Sequence, residues 1–236
     1  MADKLTDQPV DHVFILGAGA SATTGAPLMR NFLSVSDDLL RQGLFGDDSE
    51  EINFVFQLKA KLGGVYRSSY LDTNNIESLF GAIEMGSTIK MLAGLSLDEI
   101  KAVRSALVKM IVRTLEIKMD YTYNPRTLYT SPGDYALFAS AISKYYKNSC
   151  VITFNYDLGI DVALTNEYLN PNYCLDGTNK EGYKLLKLHG SVNWAKTIGV
   201  GDIIPLPISY LVNSLKNKLI IIIRMPVLQA EVLILV

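Results

Sequence analysis

The sequence predicts an α/β fold, a Rossmann-like open parallel sheet flanked by helices, with a helical insertion after the first βα unit. Short apolar runs typical of buried strands alternate with segments of helical periodicity: HVFIL (12–16), CVITF (150–154) and YKLLKLHG (183–190). From about residue 45 to 130 the periodicity is almost entirely helical, which indicates an insertion between the first two strands. We therefore expect one domain over residues 1–236.

The helices of the first half are indicated by apolar residues at helical spacing. The first follows GAGASATTG, with Pro27 in its first turn and Gly43 at its end. Three more are predicted in the insertion: EEINFVFQLKAKLGG (50–64), NNIESLFGAIEMG (74–86) and SLDEIKAVRSALVKMIVRTLEIKM (96–119). The last begins with a capping box of Ser96 and Glu99. Its apolar stripe, interpreted as helix packing, comprises Ile100, Val103, Leu107, Met110 and Ile111.

The second half of the chain returns to alternating helices and strands. SPGDYALFASAISKYYKNS (131–149) predicts a helix, and the strand CVITF follows it. Another helix begins at about Leu158, and the third strand ends at His189. This order brings the three predicted strands into one sheet.

The tail KLIIIIRMPVLQAEVLILV is apolar but interrupted by Arg224, Pro226 and Glu231. A membrane helix needs about 20 mostly uninterrupted apolar residues. The tail therefore predicts two buried strands, LIIII and VLILV, around a turn that contains the proline. Because the part from about 200 to 236 ends abruptly on an apolar residue, we expect a truncated chain or a fragment of a longer protein.

Composition excludes several classes of function. The formal charge is −2, so no broad basic surface indicates nucleic acid as a direct partner. Cys150 and Cys174 are too few for a four-cysteine metal site and do not indicate a disulfide scaffold, so no metal is expected. The start, MADKLTDQPVDHVFIL, lacks the pattern of a secretory signal, and a cytoplasmic protein without a membrane partner is expected.

The first strand leads into GAGASATTGAP, a turn suited to binding an anion such as a pyrophosphate. Gly17, Gly19 and Ala22 also fit the dinucleotide fingerprint G-x-G-x-x-A. A dehydrogenase of that kind has an acidic residue at the end of a second strand about 20 residues later. Asp37 and Asp38 are near that distance but lie in a helical pattern, which disfavours ordinary hydride transfer.

Polar residues also follow the second and third strands. Ligands of an open parallel sheet bind beyond the carboxyl ends of its strands, where Asn155, Asp157 and His189 are expected. An amide and a carboxylate can bind ribose hydroxyls, a carboxamide or water, but they can equally cap the next helix. The sequence leaves both interpretations open. A histidine can accept a proton from a sugar hydroxyl at cellular pH, and His12, before the first strand, is interpreted as structural.

Together these motifs resemble the sirtuin superfamily, the silent-information-regulator type of NAD-consuming domain. GAGAS is similar to the phosphate loop of that family, and the GAPLMR that follows is similar to its Gly-x-Pro-x-x-Arg segment. TFNYD is similar to the Thr-x-Asn-x-Asp motif at the end of a strand in that family, and KLHGSVNW is similar to its His-Gly motif at the end of another strand. NNIESLF and Trp194 are similar to the bacterial sirtuin-like effectors of anti-phage defence. The zinc-binding cysteines of the protein deacylases are missing after Cys174, and Phe154 and Met29 replace their Gln and aromatic residue.

The resemblance implies an anti-phage defence effector that hydrolyses its substrate NAD+ to nicotinamide and ADP-ribose. It implies that Asn155 positions water or the ribose, that Asp157 binds the carboxamide and that His189 polarises a ribose hydroxyl or the water. The other residues it assigns to NAD+ binding are Gly17, Ala18, Gly19, Ser21, Pro27, Arg30, Gly190 and Ser191. Because such an effector is toxic when active, an off state is expected, controlled by a homo-oligomer or a phage-triggered partner protein.

Two other functions stay open. A non-catalytic module that binds NAD+ or ADP-ribose and regulates a partner is favoured by one departure from the family. After Trp194 the sequence shows no Gly-Ser turn of the kind that closes over the adenosine. An NAD-dependent protein deacylase or an ADP-ribosyltransferase is disfavoured by the missing zinc cysteines and the near-neutral charge.

Overall fold

The computed structural model describes residues 10–65, 71–119, 121, 123–124, 128–175, 181–196, 203–205 and 231–234. The chain divides into two compact units, a sheet unit of residues 1–25 and 119–235 and a helical unit of residues 26–118. The predicted α/β fold, a parallel sheet flanked by helices with a helical insertion, is confirmed. No helix within the described ranges is both long enough and apolar enough to cross a membrane.

The described part of the sheet unit contains a parallel sheet and two antiparallel ones. Its described strands are β1 (His12–Leu16), β2 (Tyr123–Asn124), β3 (Leu128–Tyr129), β4 (Ser149–Thr153), β5 (Pro171–Asn172), β6 (Tyr183–Lys187), β7 (Gly190–Lys196), β8 (Ile203–Pro205) and β9 (Glu231–Ile234). The main sheet has the order β1-β4-β6-β5 with every neighbouring pair parallel. Strands β2 and β3 form an antiparallel pair, and β7 lies between β8 and β9 in an antiparallel sheet.

The core of the sheet unit lies between the main sheet and two helices, α5 (Tyr135–Tyr145) and α6 (Gly159–Asn166). Alternate residues of β4 and β6 face these helices, as expected for strands whose side chains alternate between faces. The buried cluster consists of Tyr135, Ala139, Ile142, Val151, Ile160, Ala163, Leu164, Tyr183 and Leu185. The predicted strands at 12–16 and 150–154 and the two predicted helices beside them are confirmed.

The third predicted strand ends earlier than expected. Strand β6 stops at Lys187, and Leu188 and His189 form a turn into β7. Gly190 opens β7 with φ 81°, a left-handed conformation that favours glycine, and this lets the chain reverse out of the main sheet. Strand β7 was not predicted, although the alternation of Val192 and Trp194 with polar residues is a strand pattern.

Only part of the C-terminal prediction falls on described residues. Strand β9 (Glu231–Ile234) overlaps VLILV, and it pairs with β7. LIIII and the turn around Pro226 lie outside the described residues. Between Trp194 and Pro205 the structure describes two short stretches, the last residues of β7 and the strand β8.

The helical unit contains α1 (Phe32–Arg41), α2 (Ser49–Val65), α3 (Ile76–Ile89) and α4 (Leu97–Lys118), which confirms the three predicted insertion helices. The capping box forms at the start of α4, where the Ser96 N–H donates to Glu99 Oε2 at 2.8 Å and the Glu99 N–H donates to Ser96 Oγ at 3.3 Å. The Ser96 N–H and the Ser96 hydroxyl, which donates to the same Glu99 Oε2 at 2.7 Å, hold the pKa of Glu99 below its ordinary value. The residues of the predicted stripe on α4 are all buried.

The first helix begins later than predicted, so placing Pro27 in its first turn is wrong. Strand β1 is followed by a 3₁₀ helix, Ala18–Thr24, which ends at Gly25 with φ 89°. A turn in which the Asn31 N–H donates to the Leu28 carbonyl at 3.0 Å then separates it from α1. Asn31 has a non-helical backbone, so the α-helical ladder starts only after it.

Candidate functional site

Three strand ends meet at one edge of the main sheet. The last residue of β1, Leu16, pairs with Thr153 at the end of β4, and Thr153 pairs with Lys187 at the end of β6. Because these strands are parallel and in register, the chain leaves all three at the same edge. The residues that follow the strands at this edge include Gly17, Asn155 and His189.

Asn155 joins the second strand end to the glycine turn after the first. Its Nδ2 donates to the carbonyl oxygen of Gly17 and to Ser21 Oγ, both at 2.9 Å. The side chain is 5% exposed, so these bonds fix a nearly buried carboxamide. Both amide hydrogens are thereby used within the protein, and the remaining capacity of Asn155 toward a ligand is that of the Oδ1 acceptor.

Ser21 lies at the centre of a buried hydrogen-bond network. Its hydroxyl donates to Asp157 Oδ2 at 2.6 Å and lies 2.9 Å from the hydroxyl of Tyr135. Because the single Ser21 proton goes to the carboxylate, the hydroxyl accepts from Asn155 and Tyr135. We call Ser21, Tyr135, Asn155 and Asp157 the strand-end cluster. The side chain of Ser21, predicted to bind a diphosphate, thus has its partners inside the protein.

Asp157 bridges the cluster and the following helix. Its Oδ1 accepts from the N–H of Gly159, the first residue of α6, at 2.8 Å. Burial raises the pKa of Asp157 above its ordinary value, while the Lys187 ammonium and the bond from Ser21 oppose that shift. The sequence left open whether Asn155 and Asp157 bind a ligand or cap the next helix. Capping accounts for one contact of Asp157, the bond from the Gly159 N–H, and for none of the side-chain contacts of Asn155.

His189 lies beside the residues that flank Asn155. The centroid of its ring lies 5.3 Å from the ring centroid of Phe154, in an edge-to-face arrangement, and 6.1 Å from the ring centroid of Tyr156. Its Nδ1 is buried and has no hydrogen-bond partner among the described residues. A buried polar atom without a partner is rare in native proteins, and a bound ligand is one way to supply that partner.

Gly190 and Ser191, which were also predicted to bind NAD+, shape the turn that carries His189. Gly190 supplies the left-handed conformation described above. The Ser191 hydroxyl is fully buried and donates to the carbonyl oxygen of Tyr156 at 3.4 Å. The Val192 N–H donates to the same oxygen at 3.0 Å, so β7 is tied to the segment that follows β4.

The glycine turn is open on its outer side. Gly17 and Gly19 are exposed, and a Cβ added at either would meet no atom within 4 Å. The first N–H groups of the 3₁₀ helix that begins at Ala18 have no partner within that helix. Of these groups the Ala20 N–H donates to the Gly17 carbonyl oxygen at 2.9 Å. A glycine turn with open space beside it is a backbone shape that lets a diphosphate approach.

Pro27 and Arg30 belong to the helical unit. Arg30 is exposed and Pro27 is buried. Their contact with NAD+ stays a prediction.

A buried ion pair that was not predicted from the sequence lies next to the strand-end cluster. Lys187 Nζ donates to the carbonyl oxygen of Asp157 at 2.5 Å and to Asp161 Oδ2 at 2.9 Å, and both charged side chains are completely buried. Tyr173 donates to the other oxygen of Asp161 at 2.6 Å. A lysine inside an apolar strand, two residues before His189, is the signal that could have revealed it.

The chain was compared with protein-family models and with curated proteins, and it matches none of them. The resemblance to the sirtuin superfamily therefore stays a prediction that depends on the motifs quoted above.

Proposed function

We propose that the protein hydrolyses NAD+ to nicotinamide and ADP-ribose, and that it acts as an anti-phage defence effector. The observation that carries the proposal is the direct bond from Asn155 to the carbonyl oxygen of Gly17, 2.9 Å long. This bond joins the amide after β4 to the open glycine turn after β1. Both lie at the carboxyl ends of the strands, where β6 also ends shortly before His189. A dinucleotide needs such a combination, an anion-binding turn beside groups that contact ribose and water.

The fit to NAD+ is supported by two independent features. The outer side of Gly17 and Gly19 has room for a diphosphate against the backbone. The buried Nδ1 of His189 has no hydrogen-bond partner among the described residues, as expected of a group that awaits a ligand. In this proposal the diphosphate lies against the glycine turn and His189 serves the ribose end of the dinucleotide.

The reaction breaks the bond between the ribose C1′ and the nicotinamide nitrogen. The electron pair of that bond leaves with nicotinamide, which departs as a neutral molecule and needs no general acid. The sugar passes through an oxocarbenium-like state, and water attacks C1′ and releases one proton. In this proposal His189 accepts that proton or polarises a ribose hydroxyl, and Asn155 Oδ1 orients the water or the ribose.

Asp157 supports the site chiefly through its neighbours. Both of its oxygens already accept hydrogen bonds, from Ser21 and from the Gly159 N–H. Each oxygen keeps a second lone pair, so direct binding of the carboxamide stays part of the proposal. Its bond to Ser21 helps to fix the hydroxyl to which Asn155 donates.

A non-catalytic module that binds NAD+ or ADP-ribose is the second candidate. It is favoured by the commitment of Ser21, Asp157 and the Asn155 amide to partners within the protein. A site whose polar groups are already satisfied can hold a ligand by backbone donors and shape alone. Catalysis requires that Asn155 Oδ1 and His189 still reach the ribose or water.

Incubation of the purified protein with NAD+ separates these functions. We expect equal amounts of nicotinamide and free ADP-ribose, measured by chromatography, and no change in an added acetyl-lysine peptide. Acetyl-ADP-ribose would indicate a deacylase instead. Because an off state is expected, the incubation is run with and without phage proteins added as the trigger. Binding of NAD+ by calorimetry without products in either condition would select the regulatory module. The absence of both binding and products in both conditions would exclude both leading functions.

Replacing Gly19 by alanine is expected to weaken NAD+ binding by about 10-fold or more, because a methyl group would occupy the space open to the diphosphate. Gly19 does not have positive φ, so the free energy of unfolding should stay the same or rise slightly. Calorimetric titration with NAD+ measures the effect. Gly63→Ala is the matched control, because Gly63 is also exposed with open space around it but lies within α2. Unchanged affinity in Gly19→Ala would remove the glycine turn from the binding site.

A further inference from the structure

Tyr135 is the member of the strand-end cluster that no sequence motif indicated. It is the first residue of α5, it is 3% exposed, and its hydroxyl lies 2.9 Å from Ser21 Oγ and 3.4 Å from Asn155 Nδ2. Its ring lies against the start of α6, where a Cβ at Gly159 would come within 2.5 Å of a ring carbon. The absence of a side chain at Gly159 therefore lets the phenol reach the cluster.

The hydrogen bonds of the cluster assign the Tyr135 proton. The Ser21 hydroxyl gives its only proton to Asp157, so the bond between Ser21 and Tyr135 must use the phenol proton. Burial, and then the charge of Asp157, raise the pKa of Tyr135 far above its ordinary value. The phenol therefore keeps its proton and donates it to Ser21.

We propose that Tyr135 is a positioning residue that acts through Ser21 to hold the carboxamide of Asn155 in one orientation. Ser21 Oγ accepts from both residues, and this fixes the oxygen to which Asn155 Nδ2 is bonded. With Nδ2 held by Ser21 and Gly17, Asn155 Oδ1 keeps one direction. The role in turnover rests on the proposed NAD+ hydrolysis, whereas the hold on the carboxamide does not.

Tyr135→Phe removes one oxygen atom and keeps the packed ring. We expect kcat for NAD+ hydrolysis to fall by about 10–100-fold while KM changes by less than about 3-fold, because misorientation affects the transition state more than binding. In ¹⁵N-labelled protein we also expect hydrogen exchange of the Asn155 side-chain NH₂ to accelerate about 10-fold. The two NMR signals of the Asn155 side-chain NH₂ group are assigned by their loss in the spectrum of Asn155→Ala.

Tyr183→Phe is the matched control. Tyr183 is 5% exposed, packs in the same core, and its hydroxyl lies 2.7 Å from Ser149 Oγ at the opposite end of the main sheet. This variant loses one buried hydrogen bond but should keep wild-type kcat and Asn155 exchange. Wild-type kcat and exchange in Tyr135→Phe would overturn the inference and leave the proposed function intact. If the wild-type protein neither binds nor cleaves NAD+, the proposed function fails, and the exchange measurement alone decides whether Tyr135 holds the carboxamide.

Discussion

Replacing His189 or Asn155 by alanine is expected to abolish most NAD+ turnover while the fold persists. General base catalysis contributes roughly 10²–10⁴-fold, so His189→Ala should lower kcat by about that factor. A preorganised amide contributes on the order of 10²–10³-fold, which sets the expected loss for Asn155→Ala. Steady-state release of nicotinamide measures both.

The fold should survive both substitutions for different reasons. His189 is half-buried and its Nδ1 makes no hydrogen bond among the described residues, so its replacement removes mainly the ring contacts with Phe154 and Tyr156. Asn155→Ala loses the bonds to Gly17 and Ser21, at a cost of about 1–3 kcal/mol. That is less than the total stability of about 5–15 kcal/mol expected for a folded domain. Urea unfolding of each purified variant would verify that it is still folded under the conditions in which its turnover is lost.

Matched controls exist for each side chain. His12 is the only other histidine and lies at the start of β1, the opposite end from the strand-end cluster. Asn166 is a half-buried amide at the end of α6 that donates to Ser131 Oγ at 2.8 Å. His12→Ala and Asn166→Ala should therefore retain wild-type turnover. Wild-type hydrolysis by pure His189→Ala or Asn155→Ala would end the assignment of that residue.

The sequence was sufficient to predict the features that depend on local residue pattern and on the direction of the strands. Apolar runs located β1, β4 and β6, although the run at β6 was predicted to extend too far. The parallel arrangement that follows from alternating helices brings the carboxyl ends of these strands together. The meeting of Asn155 with the glycine turn could be inferred for this reason, although the two are far apart in the chain. The capping box of α4 was predictable because its bonds join residues three positions apart.

What escaped prediction depends on packing between distant segments. The 3₁₀ helix Ala18–Thr24 consists of small residues whose propensities do not distinguish it from a loop, so the start of α1 was misplaced. Tyr135 reaches Ser21 only because α5 packs beside α6, and no spacing in the sequence encodes that contact. Lys187 and Asp161 lie 26 positions apart and become partners only when α6 packs on β6.

Lys187→Met is expected to destabilise the sheet unit by about 3–5 kcal/mol, because Asp161 would keep a buried charge without its cation. It would also free the Asp157 carbonyl, which accepts from Lys187 beneath the strand-end cluster. Trp194, the only tryptophan, is buried in β7, so its fluorescence during urea unfolding reports on the sheet unit.

A second substitution tests whether the uncompensated charge is the cause. Lys187→Met combined with Asp161→Leu removes both charges and should recover part of the loss, since apolar replacements of a whole buried pair are often neutral. Lys101→Met is the control for the same change at an exposed pair, where Lys101 Nζ lies 3.6 Å from Asp98 Oδ1 and both side chains are mostly exposed. There the free energy of unfolding, followed by circular dichroism, should change by less than about 0.5 kcal/mol. If Lys187→Met proved no more destabilising than Lys101→Met, the ion pair would not be what supports the strand ends, and the position of Asp157 would need another cause.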